Sequence, residues 1–170
     1  MTWCKGGWPP AFGAILRRVD GPAVHYFELG TDGPKVILVG VDGSETSMRA
    51  GAYAGGLARR QGARLVVLFV ASPSRFASMS PAALAMLYQT TDEMAKELRE
   101  QAESRAEELG IALTFVTRRG DPFVEMCRMA TEIKADAIVV GASTWAGHRF
   151  AGSLAVRLVK AGRWPVTVVP

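Results

Sequence analysis

Five short apolar runs, separated by stretches with helical spacing, constrain the fold of this 170-residue chain more than any other feature. Each run has the length and unbroken apolar character of a strand buried on both faces of a sheet. The predicted strands are Val36–Val41, Leu65–Val70, Ile111–Thr117, Ala137–Val140 and Val166–Val169. Strands that alternate with helices predict a parallel sheet with right-handed crossovers and helices on both faces.

Helices with recognisable start and stop residues are predicted in the intervals between these strands. The helices are predicted from about Glu45 to Arg60, from the 72–80 loop to Gly110, from Pro122 to about residue 133, and from Ser153 to Lys160. Gly62 stops the first helix, and Asp121-Pro122 supplies an N-cap and a first-turn proline for the third. An apolar stripe predicts the buried face of that third helix: Phe123, Cys127, Ala130 and Ile133.

Composition and charge exclude several classes of function. The formal charge of +4 comes from scattered basic residues rather than a patch, so nucleic acid is not an expected partner. No apolar run approaches the roughly 18 residues that span a membrane. The start lacks the layout of a secretory signal, which makes the cytoplasm the expected location. Two cysteines, Cys4 and Cys127, form neither a disulfide framework nor a metal pattern.

The polar residues that could bind a ligand follow the first and fourth strands. In a flavodoxin-like strand order, 3-2-1-4-5, these two strands are neighbours where the order reverses, and ligands bind beyond their carboxyl ends. The turn Asp42-Gly43-Ser44 offers a carboxylate, and the loop from Gly141 to Ser153 offers backbone N–H groups and a helix start. Such a pair is complementary to a ribose hydroxyl and to phosphates. Taken alone, however, Asp42 could be only a turn residue and Ser44 only a helix cap.

The chain from Lys35 to Pro170 resembles the universal stress protein family. The motifs that carry the resemblance are Val-Gly-Val-Asp42-Gly-Ser-Glu-Thr, Gly120-Asp-Pro, Ala-Asp136-Ala-Ile-Val-Val-Gly141, Gly152-Ser153 and Trp164-Pro165-Val-Thr-Val-Val169. The resemblance implies a flavodoxin-like (Rossmann-like) α/β fold, a dimer and, in one branch of the family, binding of ATP or a related adenine nucleotide.

In that branch the phosphate loop reads Gly-x-x-Gly, nine residues, then Gly-Ser or Gly-Thr. Here Gly141 and Gly152-Ser153 match, but Thr144 replaces the second glycine and the spacing shortens to seven residues. A left-handed threonine there would cost roughly 1–2 kcal/mol, which Gly147 and the hydroxyls of Ser143 and Thr144 could offset. The resemblance implies these nucleotide-binding residues: Gly40, Val41, Asp42, Val70, Val140, Gly141, Ser143, Thr144, Gly147, Gly152, Ser153 and Leu154.

Two functions remain open from the sequence. The first is a dimeric stress or signalling module that binds ATP, AMP or cyclic AMP and passes its ligand state to an unknown protein partner. The alternative is a dimeric interaction module of the same family that binds no nucleotide. Because no set of catalytic side chains is evident, we do not expect an enzyme. No metal site is predicted, apart from magnesium that would accompany a nucleotide.

Two further expectations concern the ends of the chain. Residues 1–34 form an N-terminal extension with a pattern that fits a β-hairpin, although Pro22 after its turn argues against one, and residues 35–170 form the universal stress protein domain. The last strand, Val166–Val169, lies at an edge of the predicted sheet and carries no charge. An unprotected edge is a template for another strand, so we expect a homodimer paired through it.

Overall fold

The computed structural model describes residues 33–72, 81–142 and 153–170, with residues 81–84, 87 and 153 described by their backbone alone. The predicted N-terminal hairpin lies outside these ranges. The described elements alternate as expected: β1 (Val36–Val41), α1 (Glu45–Gln61), β2 (Arg64–Ala71), α2 (Pro81–Leu109), β3 (Leu113–Arg119), α3 (Pro122–Glu132), β4 (Ala137–Gly141), α4 (Ser153–Ala161) and β5 (Val166–Val169).

The five strands form one parallel sheet in the order β3-β2-β1-β4-β5. This order confirms the predicted flavodoxin-like arrangement, in which the strand order along the sheet reverses between β1 and β4. Since Ile37 pairs with Ala137 and Val39 with Val139, the two strands run side by side toward the same edge. The carboxyl ends of β1 and β4 therefore border one crevice.

Alternate side chains of each strand enter two separate apolar layers, and this confirms helices on both faces. Ile37, Val39 and Val41 pack with the alanines of α1 and with Ala95 and Leu98 of α2. Leu38, Leu68 and Val140 face the opposite way and pack with Met126, Met129 and Ala130 of α3 and with Leu158 of α4. Burial on both faces explains why the strands read as unbroken apolar runs rather than as alternating ones.

The third strand begins two residues later than the sequence predicted. The Ile111 N–H donates to Ala106 O at 3.0 Å, so Ile111 belongs to the end of α2 rather than to the strand. At its other end β3 continues to Arg119, because β2 runs to Ala71 and the two residues pair. The length of a neighbouring strand thus decides where β3 ends.

The predicted buried face of α3 was only partly right. Ala130 of the predicted stripe is fully buried, but Phe123, Cys127 and Ile133 are only partly buried, whereas Met126 and Met129 are 1% and 4% exposed. The two methionines and Ala130 belong to the core layer, and the other three residues pack at its margin. The sequence pattern identified an apolar helix, but two neighbouring stripes competed for the core and the sheet selected the methionine stripe.

Candidate functional site

The turn after β1 is built around the carboxylate of Asp42. The Ser44 N–H and the Ser44 hydroxyl both donate to Asp42 Oδ1, at 3.0 Å and 2.6 Å. Gly43 between them has a φ of +82°, a conformation that favours glycine. Both bonds from Ser44 reach Oδ1. As far as the described part of the chain shows, Oδ2 can therefore accept a hydrogen bond from a ligand.

Ser44 is also the N-cap of α1, so one side chain has two functions. Its hydroxyl accepts from the Ser47 N–H at 3.3 Å, and the Ser47 hydroxyl donates to Ser44 O at 2.9 Å. The Asp42 N–H in turn donates to Ser47 Oγ at 3.2 Å. The helix-cap reading of Ser44 is therefore right, and the same cap fixes the orientation of the carboxylate beside the crevice.

These contacts also set the charge of Asp42. Partial removal of its carboxylate from water raises the pKa, but the hydrogen bonds from the hydroxyl and amide of Ser44, together with Ser47, outweigh that effect. The net pKa of Asp42 lies below its ordinary value of 3.8. The group is thus a carboxylate at neutral pH, which is the form that accepts a hydrogen bond from a sugar hydroxyl.

The end of β4 contacts the same helix by steric fit rather than by hydrogen bonds. A Cβ atom on Gly141 would lie 2.6 Å from the carbonyl carbon of Thr46 and 2.7 Å from the amide nitrogen of Ser47. Both neighbours are backbone atoms of α1, which cannot move aside as a side chain could. Gly141, expected at the start of a phosphate loop, is therefore also required for the close packing of β4 against the first turn of α1.

Three other residues that the resemblance implies for nucleotide binding lie on the α3 side of the sheet. Gly40, Val70 and Val140 belong to β1, β2 and β4; Val140 is buried and Val70 partly buried. A Cβ on Gly40 would lie 3.3 Å from Met126 Sδ and 3.7 Å from Val140 Cγ1. The space left by the missing side chain of Gly40 is thus filled by Met126.

Sequence reasoning missed Met126 as the residue that packs against Gly40. The available signal was the alternation of β1, which directs position 40 toward the same face as Leu38 and hence toward α3. The next residue, Val41, is also buried but points to the α1 side. The two neighbours Gly40 and Val41 therefore lie on opposite faces of the sheet.

The expected phosphate-binding residues fall mostly outside the described part of the chain. Ser143, Thr144, Gly147 and Gly152 lie outside it, and Ser153 is described only as the first residue of α4. Leu154 is partly buried and packs into the layer between the sheet and α3 and α4. The structure thus places Gly40, Val70 and Val140 near the ends of neighbouring strands, and Leu154 packs into the layer on the same side of the sheet.

The described residues contain neither a candidate metal site nor a helix that could span a membrane. Among them no group of three or more His, Cys, Asp or Glu side chains is arranged to hold a metal ion. Within the same ranges no helix combines the length and apolar character needed to cross a membrane.

Comparison with known proteins decides the family. A model of the universal stress protein family matches residues 34–170. The chain belongs to this family. Among curated relatives, universal stress protein MJ0531 of Methanocaldococcus jannaschii is 28% identical over 138 residues, which cover 79% of this chain and 81% of the relative.

Solved universal stress protein structures share the fold. UspA from Lactobacillus plantarum is 28% identical, with a TM-score of 0.67 over 80% of this chain and 97% of its own. A universal stress protein in complex with cAMP is 29% identical, with a TM-score of 0.57 over 80% of this chain and 96% of its own. The fold and family predicted from the sequence are therefore confirmed.

Proposed function

We propose that this universal stress protein domain binds an adenine nucleotide at the carboxyl ends of β1 and β4. The observation that carries the proposal is the Asp42 carboxylate, which Ser44 holds through Oδ1 at the point where the strand order reverses between β1 and β4. A ribose hydroxyl donates to Asp42 in this proposal, and the base lies near Gly40, Val70 and Val140. The solved relative in complex with cAMP supports the same class of ligand.

The phosphate groups of the ligand would lie toward the start of α4. A helix start presents unpaired N–H groups and the positive end of its dipole, both of which favour an anion. Gly152 precedes this helix and Ser153 is its first residue. The resemblance implies that the stretch from Gly141 to Ser153 binds phosphate. ATP, AMP and cyclic AMP are the candidates, with magnesium carried by the nucleotide.

Calorimetric titration with ATP, AMP and cyclic AMP tests this proposal. We expect a submillimolar dissociation constant for at least one of them and a roughly 10- to 100-fold weakening in Asp42→Asn, because a hydrogen bond to a charged group is worth about 1.5–3 kcal/mol. Glu45→Gln is the matched control. Glu45 lies three residues after Asp42 and pairs with Arg49, so this substitution removes one negative charge without touching the Asp42 carboxylate.

The outcomes of this titration separate the two open functions. Binding that Asp42→Asn weakens and Glu45→Gln leaves unchanged supports the nucleotide module. No heat with any of the three nucleotides at millimolar concentration would favour the interaction module without nucleotide. We propose binding without turnover, so phosphate release above the rate of the free nucleotide would contradict this part of the proposal.

We further propose that the domain forms a homodimer through the outer edge of β5, which pairs with no further strand among the described residues. Ile138 N–H donates to Pro165 O and Ala142 N–H donates to Val169 O, so the odd-numbered residues of β5 face β4. The N–H and C=O groups of Val166 and Val168 therefore point to the outer edge. This edge carries no charged side chain, and two copies could pair antiparallel about a two-fold axis.

The direction of these backbone groups gives a sharp test of the dimer. Val168→Pro removes an outward N–H without removing a bond to β4, whereas Val168→Ala shortens the same side chain and keeps that N–H. We expect a dimer by sedimentation for the wild type and for Val168→Ala, and a shift toward monomer for Val168→Pro. A wild type that stays monomeric at tens of micromolar, or a dimer that the proline leaves intact, would refute pairing at this edge. An unknown protein partner and a cytoplasmic location stay predictions.

A further inference from the structure

Asp121 connects the start of α3 with the middle of α4. Its Oδ1 accepts from the Val124 N–H at 3.0 Å and thereby caps α3, while its Oδ2 accepts from Arg157 Nη1 of α4 at 3.1 Å. The hydrogen bond from Arg157 is the largest influence on the pKa of Asp121 and, with that from Val124, lowers it. The carboxylate is therefore ionised at neutral pH and bonds both helices at once.

Arg157 is held on a second side by an aromatic ring. Its guanidinium carbon lies 4.3 Å from the ring centre of Phe123, which is in the first turn of α3. A cation–π contact and a charge-assisted hydrogen bond together fix the orientation of the group more firmly than an ion pair alone. Arg157 is the fifth of the nine residues of α4, about one turn after Ser153, so these contacts hold the helix at its centre against the start of α3.

A second arginine makes comparable contacts beyond the last residue of α4. Arg163 donates to Thr131 Oγ1 of α3 at 3.3 Å, and its guanidinium lies 4.4 Å from the ring centre of Trp164. Arg157 and Arg163 thus each connect the α4 segment with α3, one from the centre of the helix and one from beyond its end. The pair offers a natural comparison because each substitution by glutamine removes one positive charge.

We propose that Asp121 and Arg157 position the first turn of α4 for contact with the phosphate groups of a bound nucleotide. The proposal rests on the proposed function, because it concerns the same crevice. Arg157 acts here through α4 and is not itself a phosphate ligand, since its guanidinium is already engaged by Asp121 and Phe123. Both residues are positioning residues in this scheme.

Titrations with ATP and with adenosine, which lacks phosphate, test the positioning role. We expect Arg157→Gln to weaken the affinity for ATP by about fivefold, which is the upper range for a partly exposed ion pair. The affinity for adenosine should change less than twofold. Arg163→Gln should change neither, and Arg157→Lys should recover part of the loss. Thermal unfolding of each variant shows whether the helices remain folded, and if Arg157→Gln does not fold, the lysine variant decides.

Asp121→Ser separates positioning from direct phosphate binding. Serine keeps a cap for α3 but removes the partner of Arg157. If the pair acts as a unit, Asp121→Ser weakens ATP as Arg157→Gln does, and the double variant is no worse than either single one. If Arg157 binds phosphate directly, Asp121→Ser leaves ATP affinity unchanged or improves it, and this would overturn the proposal.

Three other outcomes would also count against the inference. Equal weakening of ATP by Arg157→Gln and Arg163→Gln would show a general effect of charge and overturn the positioning role alone. A wild-type protein that binds adenosine but gains nothing from phosphates would do the same. A wild type that binds none of the nucleotides and no adenosine would overturn the proposed function and this inference with it.

Discussion

The two strand ends that border the crevice are built in opposite ways. At the end of β1, polar side chains determine the structure: Ser44 donates twice to Asp42 and caps α1 with the same hydroxyl. At the end of β4 there is no side chain at all, and Gly141 lies directly against the backbone of Thr46 and Ser47. Both ends contact the first turn of α1, one through hydrogen bonds and one through close packing.

This difference predicts how each end responds to substitution. A hydrogen-bonded turn loses its contacts one at a time, and water can replace part of each bond, so the cost of a change is graded. A backbone-to-backbone contact has no free volume, so even one added carbon must displace a helix. The β4 end should therefore be intolerant of change, and the β1 end should be tunable.

The largest effect is expected for Gly141→Val. Its Cβ would lie 2.6–2.8 Å from three backbone atoms of α1, and the two methyl groups of valine add further overlap. We expect a loss of about 3 kcal/mol or more in the free energy of unfolding, measured by urea denaturation. Gly51→Ala is the control in α1, where the nearest atom is 3.9 Å from the new Cβ, and it should stabilise the protein by about 0.8–1 kcal/mol. A Gly141→Val protein as stable as the wild type would refute the steric account of this end.

A smaller effect is expected for Gly40→Ala, on the neighbouring strand β1. The new Cβ would lie 3.3 Å from Met126 Sδ, and methionine is flexible enough to move. We expect a loss of about 1 kcal/mol, because the added carbon overfills a packed layer but meets no backbone. Urea denaturation of Gly40→Ala beside Gly141→Ala tests this directly, since a cost for Gly40→Ala equal to or above that of Gly141→Ala would remove the distinction between the two glycines.

The same contrast explains which parts of the molecule the sequence could predict. The strand order, the helices on both faces and the turn at Asp42 follow from local signals: apolar runs, caps and a short polar turn. The reason for glycine at position 141 is a contact with residues almost a hundred positions earlier, and no local pattern encodes it. Met126 beside Gly40 was missed for the same reason, because two apolar stripes of α3 were available and only the sheet decides between them.

Ser44→Ala tests the graded behaviour of the β1 end. The substitution removes the helix cap and the hydroxyl that donates to Asp42, while the Ser44 N–H can still donate. We expect a loss of about 1 kcal/mol in the free energy of unfolding, which is typical of an N-cap. Ser44→Thr retains a capping hydroxyl and should recover most of that loss. Thermal or urea unfolding of the two variants measures it, and an alanine variant without any loss would show that the cap contributes nothing.

The smallest effect is expected in the pH dependence of Asp42. Its folded-state pKa lies below 3.8, so the carboxylate adds stability above that value and the contribution is lost as the pH falls through the folded pKa. The stability difference between wild type and Asp42→Asn should therefore be constant near neutral pH and shrink only below about pH 4.

In Ser44→Ala the loss of the hydroxyl donor should raise the pKa of Asp42, which carboxyl NMR can follow directly. Asp121 serves as the internal reference, because its lowered pKa depends on Arg157 and should not respond to Ser44→Ala. If the Asp42 pKa also stays unchanged in that variant, Ser44 does not hold the carboxylate in its ionised form, and the two strand ends differ less than their contacts indicate.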